Sequence, residues 1–337
     1  MSEASRRHLF FVEENYSFEI LRPLQEAARK RGGEVAWFLN KPSPAQLRGD
    51  ERRLATVAEV QAWNPHAVYA PGNQVPLSFP GLKVHTFHGM ALKKGHFRIR
   101  GMFDLYCTFG PMNTVRFKEL AAQHGWFHVQ ETGWPKMDPL FAQDGGAIAH
   151  GRTVLYAPTF SPSLTSAPAL AAEIARVVAA RPEWRWIVKF HPKMDAGLAA
   201  PIRAIEAPNF AIAENAQMLP LLREADVMLT DTSSAAVECM LAGKPVLAFR
   251  NRAPGPQYVN LAQAEELEPA LEAALEGRDP SRDAREEFAR QMHPWSDGRS
   301  SERVLDAVED MLAGNHRPAK RKPLSLLRRF KYWRTLP

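Results

Sequence analysis

Short apolar runs of strand type alternate with helix-period segments along most of this chain, and the alternation breaks only once. The first series runs through His8–Val12, a helix over Asn15–Lys30 closed by Gly32-Gly33, Val35–Leu39, a helix over Pro44–Trp63 stopped by Asn64-Pro65, Ala67–Ala70, Val84–Phe87, Leu105–Phe109, a helix over Met112–Gln123 and Phe127–Gln130. Asp138–Gly151, containing Asp144-Gly145-Gly146, shows no period. The series then restarts with Thr153–Ala157, a helix over Ala167–Ala180, Trp184–Phe190, a helix over Asp195–Ile205, Phe210–Ala213, a helix over Met218–Glu224, Asp226–Thr230, a helix over Ala235–Ala242 and Pro245–Phe249. A Pro/Gly/Arg loop, Asn251–Gln257, leads to helices over Ala264–Glu276, Ser281–Gln291 and Arg299–Leu312. Such spacing builds βαβ units on a parallel sheet. Two series joined near residue 145 predict an α/β protein of two doubly wound domains around a cleft, in keeping with 337 residues, which is long for one core. Ligands in such sheets sit outside the carboxyl ends of the strands, so the loops that follow strands are where function is sought.

Charge is unevenly placed. Residues 316–337 hold eight Lys and Arg and no acid, so the chain's net +6 leaves residues 1–315 at −2. The basicity belongs to a tail, and no arginine stripe, zinc spacing or RNA-binding aromatic motif points to nucleic acid. No apolar stretch reaches the roughly 18 residues of a membrane span. The first residues, MSEASRRHLFFVEENYSFEI, lack a secretory pattern. Cys107 and Cys239 stand in apolar contexts and read as reduced core residues of a cytoplasmic protein.

Ala225–Phe249, ADVMLTDTSSAAVECMLAGKPVLAF, is a β-loop-α-β unit with Asp231, Thr232, Ser233 and Ser234 in the loop where the helix begins. A helix start offers unpaired N–H groups and positive potential, which suit a phosphate. The same residues are good N-caps, but one cap needs one of them, and four stand in a row. Glu238 follows Ser234 by four residues on the same helix face and can accept ribose hydroxyls.

Four other strand-ending loops carry polar groups. His88 ends a strand, with Gly89 freeing the backbone and Lys93 and Lys94 close by; a histidine so placed can act as a general base facing an anion. Thr132–Asp138 reads equally as cleft floor or exit turn, and Ala157–Ser161, with Thr159, equally as hydroxyl supply or as a turn set by Pro158. Lys189-Phe190-His191-Pro192-Lys193 sets a histidine between lysines just past a strand, a group suited to neutralising a diphosphate.

With these loops the chain resembles the CDP-glycerol glycerophosphotransferase family, the teichoic-acid-type glycerol-phosphate polymerases and primases. FHGMALKKG at 87–95 is similar to that family's tryptophan-histidine-glycine-threonine-proline-leucine-lysine segment. ETGWPKMD at 131–138, VLYAPTF at 154–160, KFHP at 189–192, ADVMLTDTSSAAVECMLAGKPVL at 225–247 and SDGRSSERV at 296–304 resemble its further motifs in the same order. Phe87, Met90-Ala91 and Thr232 depart from its tryptophan, threonine-proline and tyrosine. The resemblance implies a GT-B architecture, two Rossmann-like domains with parallel sheets facing a central cleft. Residues 1–145 would form the acceptor domain, 146–315 the nucleotide-donor domain and 316–337 a basic amphipathic tail. It implies transfer of glycerol phosphate or a related polyol phosphate from a CDP-linked donor to a glycan or lipid-linked hydroxyl. His88 would assist deprotonation of the acceptor, with Gly89, Lys93 and Lys94 near it. His191 would contact the donor diphosphate, and Thr159, Lys189, Thr230, Asp231, Thr232, Ser233, Ser234 and Glu238 would bind the donor.

The alternative reading is a GT-B glycosyltransferase or UDP-sugar epimerase using a nucleotide sugar. A scaffold with a degenerate cleft is a third, against which the histidines and hydroxyls speak. No cofactor is indicated: Asp226 and Asp231 flank a strand and read as structural, and a divalent metal is compatible but unsupported. In the tail, Leu326, Leu327, Phe330 and Trp333 recur at helical spacing among the basic residues. Such a segment suits an anionic membrane, predicting a peripheral enzyme at the inner face of the cytoplasmic membrane.

Overall fold

The structure is a computed structural model, and it describes residues 5–89, 97–142, 151–214, 216–316 and 318–323. The chain divides into two compact units, residues 1–143 with 291–337, and residues 144–290.

In the first unit β1 (Arg7–Val12), β2 (Glu34–Leu39), β3 (Ala67–Ala70), β4 (Leu82–His85), β5 (Leu105–Thr108) and β6 (His128–Glu131) form a parallel sheet in the order β2-β1-β3-β4-β5-β6. Between them run α1 (Ser17–Lys30), α2 (Val57–Trp63) and α3 (Pro111–His124), and α4 (Asp138–Phe141) follows β6. The strands are unbroken apolar runs rather than alternating ones because both sheet faces are covered; Leu9, Phe10, Phe11 and Val12 are all buried.

The second unit repeats this plan. It contains β7 (Thr153–Tyr156), α5 (Ala167–Ala180), β8 (Arg185–Val188), α6 (Ala196–Arg203), β9 (Phe210–Ile212), α7 (Met218–Glu224), β10 (Val227–Thr230), α8 (Ala235–Leu241), β11 (Val246–Phe249), β12 (Val259–Leu261), α9 (Leu267–Leu275) and α10 (Arg282–Met292). Its parallel sheet has the order β12-β11-β10-β7-β8-β9. Val154, Tyr156, Val188, Val227, Leu229 and Leu247 pack there against Leu170, Ile174 and Val178 of α5.

Three expectations need correcting. Pro44–Trp63 is not one helix: a short turn at Pro44–Gln46 and α2 flank an extended stretch. Glu51 is drawn inward there by Arg22 Nε (3.0 Å) and Gln25 Nε2 (3.1 Å), and Leu54 N donates to Trp37 O at 2.9 Å. Side-chain capture and strand-like pairing win over helix propensity. Strand β12, three residues long in the stretch between the 251–257 loop and the helix after it, to which the sequence pattern assigns no element, pairs with β11.

The third correction concerns the domain boundary. The expected second domain, 146–315, ends at Arg290, because the chain then returns to the first unit through α11 (Ser300–Leu312). Val304, Leu305, Val308 and Met311 of α11 join the core built on β1, α1 and β3. Asp138 fixes the other end: its carboxylate accepts the backbone N–H groups of Ser300 (2.8 Å) and Ser301 (2.6 Å), satisfying the first donors of α11. Gly133 allows this docking. Its φ is +82°, and a Cβ there would run into Ser300 Oγ and stand 2.9 Å from His293 Nε2. Two motifs far apart in sequence, 131–138 and 296–304, therefore meet in one joint, in which Gly133 and Asp138 have a structural part.

The tail begins on the same unit. Lys320 N donates to Gly125 O (2.8 Å), and Lys322 Nζ pairs with Asp104 (2.7 Å). Leu326, Leu327, Phe330 and Trp333 lie outside the described residues.

Candidate active site

In the second unit the polar loops gather at the carboxyl ends of β11, β10, β7 and β8, four consecutive strands of the sheet. Asp231 directly follows β10 and is fully buried. Its carboxylate accepts Thr159 N (2.9 and 3.1 Å), Ser166 N (2.9 Å) and Ser166 Oγ (3.0 Å). Thr230 Oγ1, also buried, donates to Ala157 O at 2.7 Å. Both were expected among the donor-binding groups; both instead fasten the β7–α5 loop to β10, so their polar atoms are spent inside the protein.

What this fastening exposes is the rest of the set. Thr232, Ser233 and Glu238 are half-buried and Ser234 is exposed. Ser233 Oγ accepts Ala235 N at 3.3 Å, so one of the hydroxyls does cap α8, while Ser234 makes no side-chain cap bond. Thr232 Oγ1 accepts Arg252 N at 3.2 Å, Asn251 Nδ2 donates to Asp231 O at 2.9 Å, and the Arg252 guanidinium donates to Ser163 O at 3.0 Å. An exposed arginine thus stands beside the hydroxyl loop. Sequence reading passed over it because nothing in the 251–257 loop said which loop it would meet.

His191 lies past β8, with Lys189 half-buried before it. Its imidazole stacks on Phe160, an exposed ring from the β7–α5 loop, with 4.4 Å between centroids and 29° between planes. Nδ1 accepts the backbone N–H of Lys193 at 3.0 Å. A ring nitrogen that accepts holds no proton, so in neutral imidazole the proton sits on Nε2. Burial, with the Lys193 and Lys189 ammonium groups, lowers the pKa of His191. The result is a neutral ring presenting an Nε2–H donor.

In the first unit His88 lies three residues past β4 and is exposed. Its Nδ1 is 3.2 Å from Pro71 O in the turn after β3. A carbonyl only accepts, so in neutral imidazole Nδ1 carries the proton and Nε2 the lone pair. The Tyr16 ring lies beside the imidazole, 5.3 Å between centroids. The left-handed residue of this loop is Phe87, at φ +55°, and not Gly89, where an added Cβ would meet nothing within 4 Å. A bulky residue in that region is strained. It is held by His85, whose Nδ1 accepts Phe87 N at 3.2 Å and whose ring packs against it at 4.1 Å. His85 is buried among Phe87, Phe103 and Tyr106, and burial keeps its pKa well below the ordinary histidine value. It was missed in the sequence because strand β4 was expected to run on to Phe87. Lys93 and Lys94, expected near His88, lie outside the described residues. No group of three or more His, Cys, Asp or Glu among the described residues is placed to hold a metal.

Two six-stranded parallel sheets, each with its polar loops at the carboxyl edge, define an α/β protein of GT-B type. Residues 82–310, well over half of the chain, match the family described as CDP-glycerol:poly(glycerophosphate) glycerophosphotransferase, and the chain belongs to that family. It is accordingly an enzyme of glycerophosphate transfer. No curated protein matches the sequence. Among solved structures, the wall teichoic acid polymerase TagF is similar at 13% identity, covering 91% of this chain and 90% of that one with a TM-score of 0.67. A protein of Listeria monocytogenes described as a UDP-N-acetylglucosamine 2-epimerase is 16% identical over 96% of this chain and 100% of its own, TM-score 0.67. The UDP-GlcNAc 2-epimerase of Neisseria meningitidis is 12% identical over 90% and 100%, TM-score 0.60. At these identities the likenesses show the fold, and the family match distinguishes the chemistry.

Proposed function

We propose that the protein transfers glycerol phosphate, or a related polyol phosphate, from a CDP-linked donor to a hydroxyl of a glycan or lipid-linked acceptor. The second unit takes the donor and the first the acceptor. The observation that carries this is the opposite engagement of two imidazoles: His88 keeps its Nε2 lone pair, and His191 keeps an Nε2–H. His88 withdraws the acceptor hydroxyl proton as that oxygen attacks the phosphorus bearing the polyol. The bond from this phosphorus to the bridging oxygen breaks, and CMP leaves. His191 donates to a diphosphate oxygen, with Lys189, Arg252 and the hydroxyls of Thr232, Ser233 and Ser234 sharing the charge. Phosphoryl transfer asks for such positioning and charge neutralisation more than for covalent help. The structure of TagF after a soak with CDPG supports a CDP-linked donor on this fold.

No helix of the described residues is long and apolar enough to cross a membrane. The basic tail is read as a peripheral anchor on the inner face of the cytoplasmic membrane, where lipid-linked acceptors lie. CMP release from CDP-glycerol in the presence of a poly(glycerophosphate) acceptor tests the activity. Stabilisation against heat by UDP-sugars but not by CDP or CMP would instead assign a nucleotide-sugar enzyme.

A further inference from the structure

The turn after β1 brings a set of polar side chains to the His88 loop that no motif singles out. Glu13 directly follows β1 and is half-buried. Its Oε1 accepts from Asn40 Nδ2 at 3.4 Å, and Asn40 directly follows β2, the strand next to β1. Its Oε2 lies against Gly72, where an added Cβ would stand 3.3 Å from that oxygen. Gly72 follows Pro71, whose carbonyl receives His88 Nδ1. Tyr16 is 42% exposed and flanks the His88 ring at 31°. A carboxylate, a carboxamide and an exposed phenol ring are thus grouped around the one turn that orients His88.

The chemistry of the group is that of hydroxyl recognition. A carboxylate partly withdrawn from water is a strong acceptor for O–H donors. Desolvation raises the pKa of Glu13, against the opposing pull of Lys41 and the Asn40 hydrogen bond. Desolvation, with Glu14 and Glu13, pushes the Tyr16 hydroxyl up to about 12, so it stays protonated and able to donate. Its ring offers a flat apolar face to a carbon chain whose hydroxyls point elsewhere. Asn40 can both donate and accept.

We propose that Glu13, Asn40 and Tyr16 form a polyol subsite that holds the hydroxyl-bearing end of the acceptor against His88. This rests on the reading of His88 as the acceptor's base. The glycerol of a CDP-linked donor has the same hydroxyl chemistry, but the group that must meet His88 Nε2 is the attacking hydroxyl, which belongs to the acceptor. All three residues precede residue 82, where the family match begins, so acceptor selection resides in a segment outside that match.

The test uses the full chain and a short poly(glycerophosphate) oligomer. Calorimetric titration without donor is expected to show binding that weakens tenfold or more in Glu13→Gln and in Tyr16→Ala, and less in Tyr16→Phe, which keeps the ring. In turnover, KM for the oligomer should rise by the same factor while KM for CDP-glycerol stays within twofold. Absence of oligomer binding to the wild-type chain overturns the subsite. So does unchanged affinity in Glu13→Gln and Tyr16→Ala, or a KM change confined to CDP-glycerol. Because Tyr16 is exposed, Tyr16→Ala keeps the test sound if Glu13→Gln unfolds. Titration needs no turnover, so a chain that binds the oligomer but releases no CMP refutes the catalytic reading and leaves the subsite standing.

Discussion

His191 accepts the backbone N–H of Lys193 at Nδ1 over 3.0 Å, the reverse of His88, whose Nδ1 faces the carbonyl of Pro71 at 3.2 Å. The two rings are therefore fixed in opposite tautomers by main-chain groups. Substitutions should separate their roles. A base must take up a proton, so His88→Ala and His88→Gln are both expected to lower kcat by about 10²–10⁴-fold. A donor needs only an N–H, so His191→Ala should lose about 10²–10³-fold and His191→Gln clearly less. Steady-state CMP release measures all four, and equal rescue by glutamine at both positions would refute the assignment.

Three buried histidines of the first unit, His8, His85 and His293, set the acid limit of stability, each with its pKa lowered mainly by burial. His8, bonded to Tyr69 Oη at 2.9 Å, and His293, whose Nε2 accepts Trp134 N at 2.9 Å, are both lowered to about 4, mainly by burial. The unfolded chain takes up protons at these sites near 6.5, and the folded chain does so only near 4. Stability is thus fully present above about 6.5 and falls as the pH drops from there towards 4. Each site contributes on the order of 3 kcal/mol over that window. Urea unfolding at pH 7.5, 5.5 and 4.5 should show the decline, and a flat midpoint would contradict it.

Asp138 should matter to folding and not to chemistry. It is a buried carboxylate whose two bonds hold the start of α11. Asp138→Ala leaves those N–H groups without partners, at about 2–3 kcal/mol. The expected readout is a lower urea midpoint and faster proteolytic cutting near residue 291, where the chain rejoins the first unit. Gly133→Ala should act in the same direction, through its +82° φ and the collision with Ser300.

For the tail, the place of truncation matters. Lys320 and Lys322 are tied to Gly125 and Asp104, so deletion from 316 would damage the first unit as well as remove the basic segment. Deletion of 324–337 should leave the melting temperature unchanged and abolish cosedimentation with anionic liposomes. Each basic residue near such a surface contributes about 1 kcal/mol, so added salt should also release the intact chain. Unchanged cosedimentation after deletion would remove the membrane reading.

The sequence by itself determined the local elements and their class. Apolar runs buried on both sheet faces, helix-period segments, and Gly or Asn-Pro stops are near-neighbour properties, and they placed nearly every strand and helix within a residue or two. They also placed His88 and His191 at strand ends, and the hydroxyls of 232–234 before α8. Only the tertiary structure decided what the polar atoms face. It turned Asp231 and Thr230 inward to fasten a loop, moved α11 to the first unit through Asp138 and an apolar face, and set the protons on the two imidazoles. The loop fastening and the place of α11 depend on partners tens to hundreds of residues away, and the His88 proton on Pro71, 17 residues back, whereas Lys193, which sets the His191 proton, is only two residues on. Arg252 beside Thr232, and Glu13 beside the turn of His88, are likewise products of strand order, which a single chain's local pattern does not encode.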